Sequence, residues 1–151
     1  MILSTTARKP GKPEENLASA LAALVPSSAF TKRGGKGFFE LYQLARKKGY
    51  RRIAIVSSGR LDFIVVEPGD WSWEENYFDD VRLVKAPRLR NVDALRFEGI
   101  NAGVVAGLFD EEDDKDAEVA VECGEKKMSV TSSGKVVFGL ECVLKTRKPV
   151  V

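Results

Sequence analysis

Three stretches of this sequence hold residue types that could do chemistry: Arg8-Lys9-Pro10-Gly11-Lys12, Lys32-Arg33-Gly34-Gly35-Lys36-Gly37 and Ser57-Ser58-Gly59-Arg60. Each combines cations with small or turn-forming residues, which suits an anion. Catalysis fits less well. The second stretch is no phosphate loop of the GxxxxGK[ST] kind, because that spacing is absent. Ser57 and Ser58 have no G-x-S-x-G elbow, and the chain has no histidine to activate a hydroxyl. The same lack removes the commonest zinc ligand. Cys123 and Cys142 are too few for a four-cysteine metal site. Each stands in an alternating apolar run that suits core packing, with a disulfide between them as the alternative. The acidic run Asp110-Glu111-Glu112-Asp113-Asp114-Lys115-Asp116 lacks the EF-hand spacing and its glycine. It reads as a solvated loop, with a weak magnesium site or a shield against wrong polyanions as the other readings. No catalytic residue, metal ligand, cofactor or small-molecule substrate is expected.

Charge distribution points the same way. The net charge of +2 conceals two unlike halves. Residues 1–60 carry twelve Lys/Arg against Glu14, Glu15 and Glu40, a local charge of +9. Residues 61–151 carry twelve against nineteen acids, a local charge of −7. Such division is a footprint of polyanion binding. A length of 151 residues at 44% hydrophobic suits one domain with a real core. No apolar run approaches the roughly 20 residues of a membrane span, and no signal peptide is visible, so a soluble cytoplasmic protein is expected.

The elements that must position these residues follow from periodicity. Ile2 to Thr6 reads as a short strand. Pro13-Glu14-Glu15 opens a helix, where Leu17, Ala20, Leu21, Leu24 and Val25 form one apolar stripe. Ser28 to Thr31 reads as a second strand. A second helix carries Phe38, Leu41, Tyr42 and Ala45 on one face and stops at Gly49. The continuous apolar run within Arg52–Ser57 suits a buried central strand, and Leu61–Val66 a fourth. The first half therefore reads β-α-β-α-β-β, and alternation of this kind implies a mainly parallel sheet. Residues 67–80 read as a less regular link; its Trp71 and Trp73 are either a stacking surface for bases or, the preferred reading, anchors between the halves. After Val81–Val84, strands are expected at Val104–Leu108, Ala117–Cys123, Lys127–Thr131 and Val136–Leu144, and a helix at 91–98.

Geometry then gathers the cations. Ligands of open α/β sheets lie outside the carboxyl ends of the strands. The loops after the first three strands would share that rim, bringing Arg8, Lys9, Lys12, Lys32, Arg33, Lys36 and Arg60 together without an acid. Two of these loops lead into helix N-termini, whose free N–H groups favour phosphate. Arg46, Lys47, Lys48, Arg51 and Arg52 fall at the opposite edge, where the end of a helix dipole is the preferred reading and auxiliary RNA contact the alternative. The closing Lys145-Thr146-Arg147-Lys148-Pro149 echoes the opening stretch and reads as chance or a basic tail.

Thr5-Thr6-Ala7-Arg8-Lys9-Pro10, followed by a helix and a strand running into Lys32-Arg33-Gly34-Gly35-Lys36, resembles the compact archaeal members of the Brix-domain family. Their opening is typically T-T-S-R-K-P, with a later strand ending N-R-G-K. Arg8 and Lys9 match the opening pair, and Arg33 with Lys36 the later one. Ala7 stands where serine is usual, and Gly35 is an extra residue in the loop. The resemblance implies a single Brix domain over residues 1–151, with related halves of approximately 1–75 and 76–151. It also implies an α/β fold with mixed sheets, each half similar to the anticodon-binding domain of class IIa aminoacyl-tRNA synthetases. The implied function is a non-enzymatic ribosome-biogenesis factor that binds ribosomal RNA or its precursor, with other assembly proteins as further partners. The alternative is a protein-interaction adaptor in subunit assembly, with RNA contact secondary.

Overall fold

The computed structural model describes residues 1–85, 89 and 91–147. The chain begins with β1 (Leu3–Thr6), buried along its whole length. Helix α1 (Lys12–Leu24) follows Gly11, has a proline in its first turn and turns Leu17, Ala18, Ala20, Leu21 and Leu24 inward. A two-residue β2 (Ala29–Phe30) leads to α2 (Phe38–Lys48), which buries Leu41 and Ala45. Gly49 ends α2 in the left-handed region at φ 82°, donating its N–H to the Ala45 and Arg46 carbonyls. Then come β3 (Arg52–Ser57) and β4 (Arg60–Glu67), joined by a tight turn. Both β2 and β3 pair in parallel with β1.

Beyond β3 the expectation of a mainly parallel sheet fails. Strands β3 and β4 are antiparallel, because a two-residue turn cannot make the crossover that parallel pairing needs. Residues 67–80 are no irregular link. They form β5 (Asp70–Trp73), paired antiparallel to β4, and the start of β6 (Asn76–Lys85). The second half adds β7 (Leu95–Glu98), α3 (Ala102–Leu108), β8 (Val119–Cys123), β9 (Lys127–Ser132) and β10 (Lys135–Thr146). Among the described residues one mixed ten-stranded sheet results, in the order β2-β1-β3-β4-β6-β10-β9-β8-β7, with β5 beside β4.

Two expectations for the second half were reversed. Val104–Leu108 lies in helix α3, not a strand: Val105 and Leu108, three apart, are its buried residues. Residues 95–98 form β7, not helix, with Leu95 and Phe97 buried and Glu98 exposed in the period of two.

The core joins everything. Residues of α1, α3 and strands from both halves share one apolar cluster. At its centre Phe109, just after α3, lies 6.3 Å from Phe63 of β4 and 6.2 Å from Phe97 of β7. A smaller cluster on the other side of the sheet packs α2 on Leu3, Ile53, Ile55, Ile64 and Val66. Cys123 and Cys142 are free, so the disulfide alternative does not hold. Burial pushes both thiols up to about 12, Cys123 being raised further by Cys142 and Glu122.

Two outcomes follow from this packing. Folded-state thiol pKa values above the unfolded value of about 8.5 give stability that is fully present below that pH and lost as pH rises towards about 12. Neither thiol should react with an aromatic disulfide reagent at pH near 8 until urea unfolds the chain; prompt labelling of native protein would contradict the burial. Gly99 sits at φ 96°, and a β-carbon there would lie 2.6 Å from the Cys123 carbonyl oxygen. Gly99→Ala should therefore cost about 2 kcal/mol or more in urea denaturation.

Candidate nucleic-acid interface

Because β2, β1 and β3 run side by side in one direction, the loops after them leave the same edge of the sheet. The two threonines of the opening stretch fix those loops. Thr5 Oγ1 donates to the Thr31 carbonyl at 2.7 Å, and the Thr6 carbonyl accepts from Arg33 Nη1 at 3.1 Å. After the Ala7 N–H bonds the Val56 carbonyl, the chain peels away and leaves Arg8, Lys9 and Lys12 exposed. Lys32 is exposed too, and Lys36 half-buried, its ammonium donating to the Lys32 carbonyl at 2.9 Å.

Arg33 is different. Its side chain is only 5% exposed, its Nε donates to the Lys36 carbonyl at 2.6 Å, and its guanidinium lies 4.9 Å over the Phe38 ring. It is a strut that shapes the loop rather than a free hand for phosphate. Burial, and then the neighbouring Arg8, lower its pKa from the ordinary value. Arg8 itself stands at the start of α2: a β-carbon on Gly37 would lie 3.7 Å from its Nη2. Both helices begin on a glycine with no side-chain cap. Glu14 and Glu15 occupy the first turn of α1, whereas α2 has Glu40 alone and two arginines beside it. Positive charge therefore converges on the α2 N-terminus, itself the positive end of a dipole.

Arg60 departs from expectation. It is bound by Asp62, Nε to Oδ2 at 3.0 Å, and lies 4.1 Å over the Tyr77 ring. An acid thus does stand among the seven residues' partners. Arg147 joins the same cluster, donating to Asp62 and lying 4.7 Å over Tyr77. The closing echo is in this part no idle tail, while Lys148 and Pro149 lie outside the described residues. Periodicity gave no warning of Arg147, because only the antiparallel pairing of β10 with β6 brings it here. Trp71 and Trp73 pack on Phe38 at the start of α2, and Trp73 receives Arg147.

Elsewhere the charges are spent on the fold. Arg51 makes a two-pronged pair with Asp110, and Arg52 pairs with Glu74. The acidic run is not simply solvated: Asp113 accepts the Phe97 N–H at 2.8 Å, and Asp114 that of Asp116. Among the described residues no group of three potential metal ligands stands together. Among the described residues no helix is long and apolar enough to cross a membrane. A cavity of about 600 Å³ in the second half is lined by Asn91, Asp93, Asp114, Asp116 and Glu118, the wrong charge for an anion.

No family model matches the chain. Curated relatives do. The probable Brix domain-containing ribosomal biogenesis protein of Thermococcus kodakarensis is 28% identical over 104 residues, covering 65% of this chain and 50% of that one. Its namesake in Pyrococcus horikoshii is 28% identical over 102 residues, 64% and 46% of the two chains. The chain is thus similar to proteins named for the Brix domain. It spans about half the length of the curated relatives it matches. Among solved structures, a probable ribosomal biogenesis protein from Aeropyrum pernix K1 superposes with a TM-score of 0.75 at 20% identity, covering 99% of this chain and 98% of that one. Mil, an archaeal Imp4-like protein, gives 0.72 at 19% identity, with 97% and 99% covered. These likenesses show the shared fold, a mixed sheet with few helices.

In this protein the strut and the exposed cations should separate cleanly. Arg33→Ala leaves two carbonyls without their charged donor and should lose about 2–3 kcal/mol in urea denaturation. Arg8→Ala and Lys9→Ala, on exposed residues, should stay within about 0.5 kcal/mol. Equal effects at all three positions would remove the distinction.

Proposed function

We propose that the chain is a non-enzymatic, cytoplasmic factor of ribosome biogenesis that binds ribosomal RNA or precursor RNA through its basic rim. The observation that carries this is the meeting of Arg8, buried Arg33 and the uncapped start of α2, with Lys9, Lys12, Lys32 and Lys36 around them. Exposed Arg8, held near the buried Arg33 cation and against a helix N-terminus, is unfavourably placed until an anion arrives, and phosphate suits both Arg8 and the free N–H groups of that helix start. The names of the relatives supply the biological setting, and other assembly proteins would be partners there.

Domain organisation belongs to the same proposal. One Brix domain would cover residues 1–151, with halves meeting near residues 75 and 76 and each similar to the anticodon-binding domain of class IIa synthetases. The strand order supports two related halves but moves their junction: β1-β3-β4-β6 is mirrored by β7-β8-β9-β10 about the β6–β10 pair, which groups β6 (Asn76–Lys85) with the first half. A protein-adaptor reading is favoured by one feature, Ile100 and Val104, which are 71% and 37% exposed beside and on α3.

Salt dependence is the test. If about five phosphates are neutralised, log affinity for single-stranded ribosomal fragments should fall with log salt at a slope near about −3.5. Charge reversal at Arg8, Lys9 and Lys12 should shallow that slope by about 2 and weaken binding at least about tenfold. Salt-independent binding sinks the phosphate account. Unchanged RNA binding in the reversed protein favours the adaptor.

A further inference from the structure

Between the rim and the second half runs a surface that phosphate neutralisation does not use. It starts at Phe38, the first residue of α2, directly after the Gly37 beside which Arg8 stands. The Phe38 ring meets Trp73 edge-on at 5.3 Å and Trp71 at 5.6 Å. The Arg147 guanidinium lies 5.7 Å over Trp73 and 4.7 Å over Tyr77, and that of Arg60 lies 4.1 Å over Tyr77. With Arg33 over Phe38, cations and rings form one continuous series, Arg33, Phe38, Trp73, Arg147, Tyr77, Arg60. Asp62, itself little exposed, holds both Arg60 and Arg147.

Three features of this stripe point to one ligand. Trp73 is 42% exposed and Phe38 36%, although rings of this size ordinarily go inside. Two guanidiniums share one carboxylate, so the cluster keeps a positive excess. Both guanidiniums are already locked in place, which lowers the ordering cost of a stack. We propose that the stripe stacks the unpaired bases of a single-stranded RNA whose phosphates lie on the rim. Every base offers a π-face to an aromatic ring or a guanidinium plane, whereas a duplex has its bases already stacked. A base resting on Phe38 would carry its phosphate next to Gly37 and Arg8, so stacking and charge would be read from adjacent nucleotides. This inference rests on the RNA-binding reading and specifies the kind of RNA.

The probes are a short oligouridylate and a blunt RNA duplex of equal length, titrated against the full chain. The expected result is preference for the single strand, with quenching of tryptophan fluorescence on binding. Trp73→Ala should weaken oligouridylate binding by roughly five- to a hundredfold, the worth of one stacked base, and leave the salt slope unchanged. Trp73→Phe should recover most of the loss. Phe38→Ser provides an independent variant with the same signature, and thermal melts show that each is folded. Wild-type affinity in folded Trp73→Ala and Phe38→Ser, with a normal salt slope, overturns the stacking proposal while leaving the rim reading intact; the stripe then fits a protein partner. Binding of neither RNA overturns both.

Discussion

Phe109 holds the molecule together. It leaves α3 and enters the space between Phe63 and Phe97, so its ring belongs at once to the core under β4 and the core under β7. Such tilted ring contacts contribute beyond the area they bury. Because one apolar cluster contains residues of α1, α3 and strands on both sides of the β6–β10 pair, neither half could keep its inner face dry alone. The rim inherits its geometry from this. Ser4, fully buried in β1, donates its hydroxyl to the Ala18 carbonyl of α1 at 2.8 Å, which fixes that helix against the strand whose end carries Arg8.

Electrostatics then divides the cations into those that build and those that wait. Arg51 and Arg52 are matched to Asp110 and Glu74, and Arg82 to Glu141, pairs that span distant parts of the chain. Exposed pairs of this kind add little to stability, but the first two tie acids beyond residue 60 to cations before it. The +9 and −7 of the two halves are thereby partly cancelled at one edge of the sheet. At the other edge Arg8, Lys9 and Lys12 make no ion pair among the described residues. Charge is thus least compensated where α2 begins.

Much of the first half was legible because its signals are local. Leu17, Ala20, Leu21 and Leu24 recur at helical spacing, Gly49 supplies the left-handed stop, and Arg52–Ser57 has the apolar run of a central strand. The second half was harder for a physical reason. Val104 and Val105 look like strand residues, yet the buried pair is Val105 and Leu108, three apart, and only tertiary packing makes that decisive. Leu95-Arg96-Phe97-Glu98 is too short for its alternation to stand out. The same limit applies to the site. Clustering of Arg8 and Arg33 could be argued from parallel strands, but the burial of Arg33 depends on which carbonyls the folded loop leaves open. Arg147 could be placed only by register, as β10 carries it from the far side of the sheet to Tyr77.

The strand order also explains why the aromatic stripe lies where it does. On one face of the sheet α2 covers Ile53, Ile55, Ile64 and Val66, but its first turn reaches only as far as Trp71 and Trp73. Past that point β4 changes partner, pairing with β5 through Ile64–Glu67 and with β6 through Arg60 and Leu61. Two strands therefore diverge from one edge, and Tyr77 and Trp73 flank the fork. A helix continuing across would have to bury Arg60, Arg147 and Asp62, at a desolvation cost that their mutual pairing does not reliably offset. Left uncovered, Arg60 and Arg147 stay partly exposed and lie over the Tyr77 and Trp73 rings, with Asp62 between them. The end of α2 as a covering element is thus also the beginning of an exposed surface of rings and cations, continuous with the rim at Gly37.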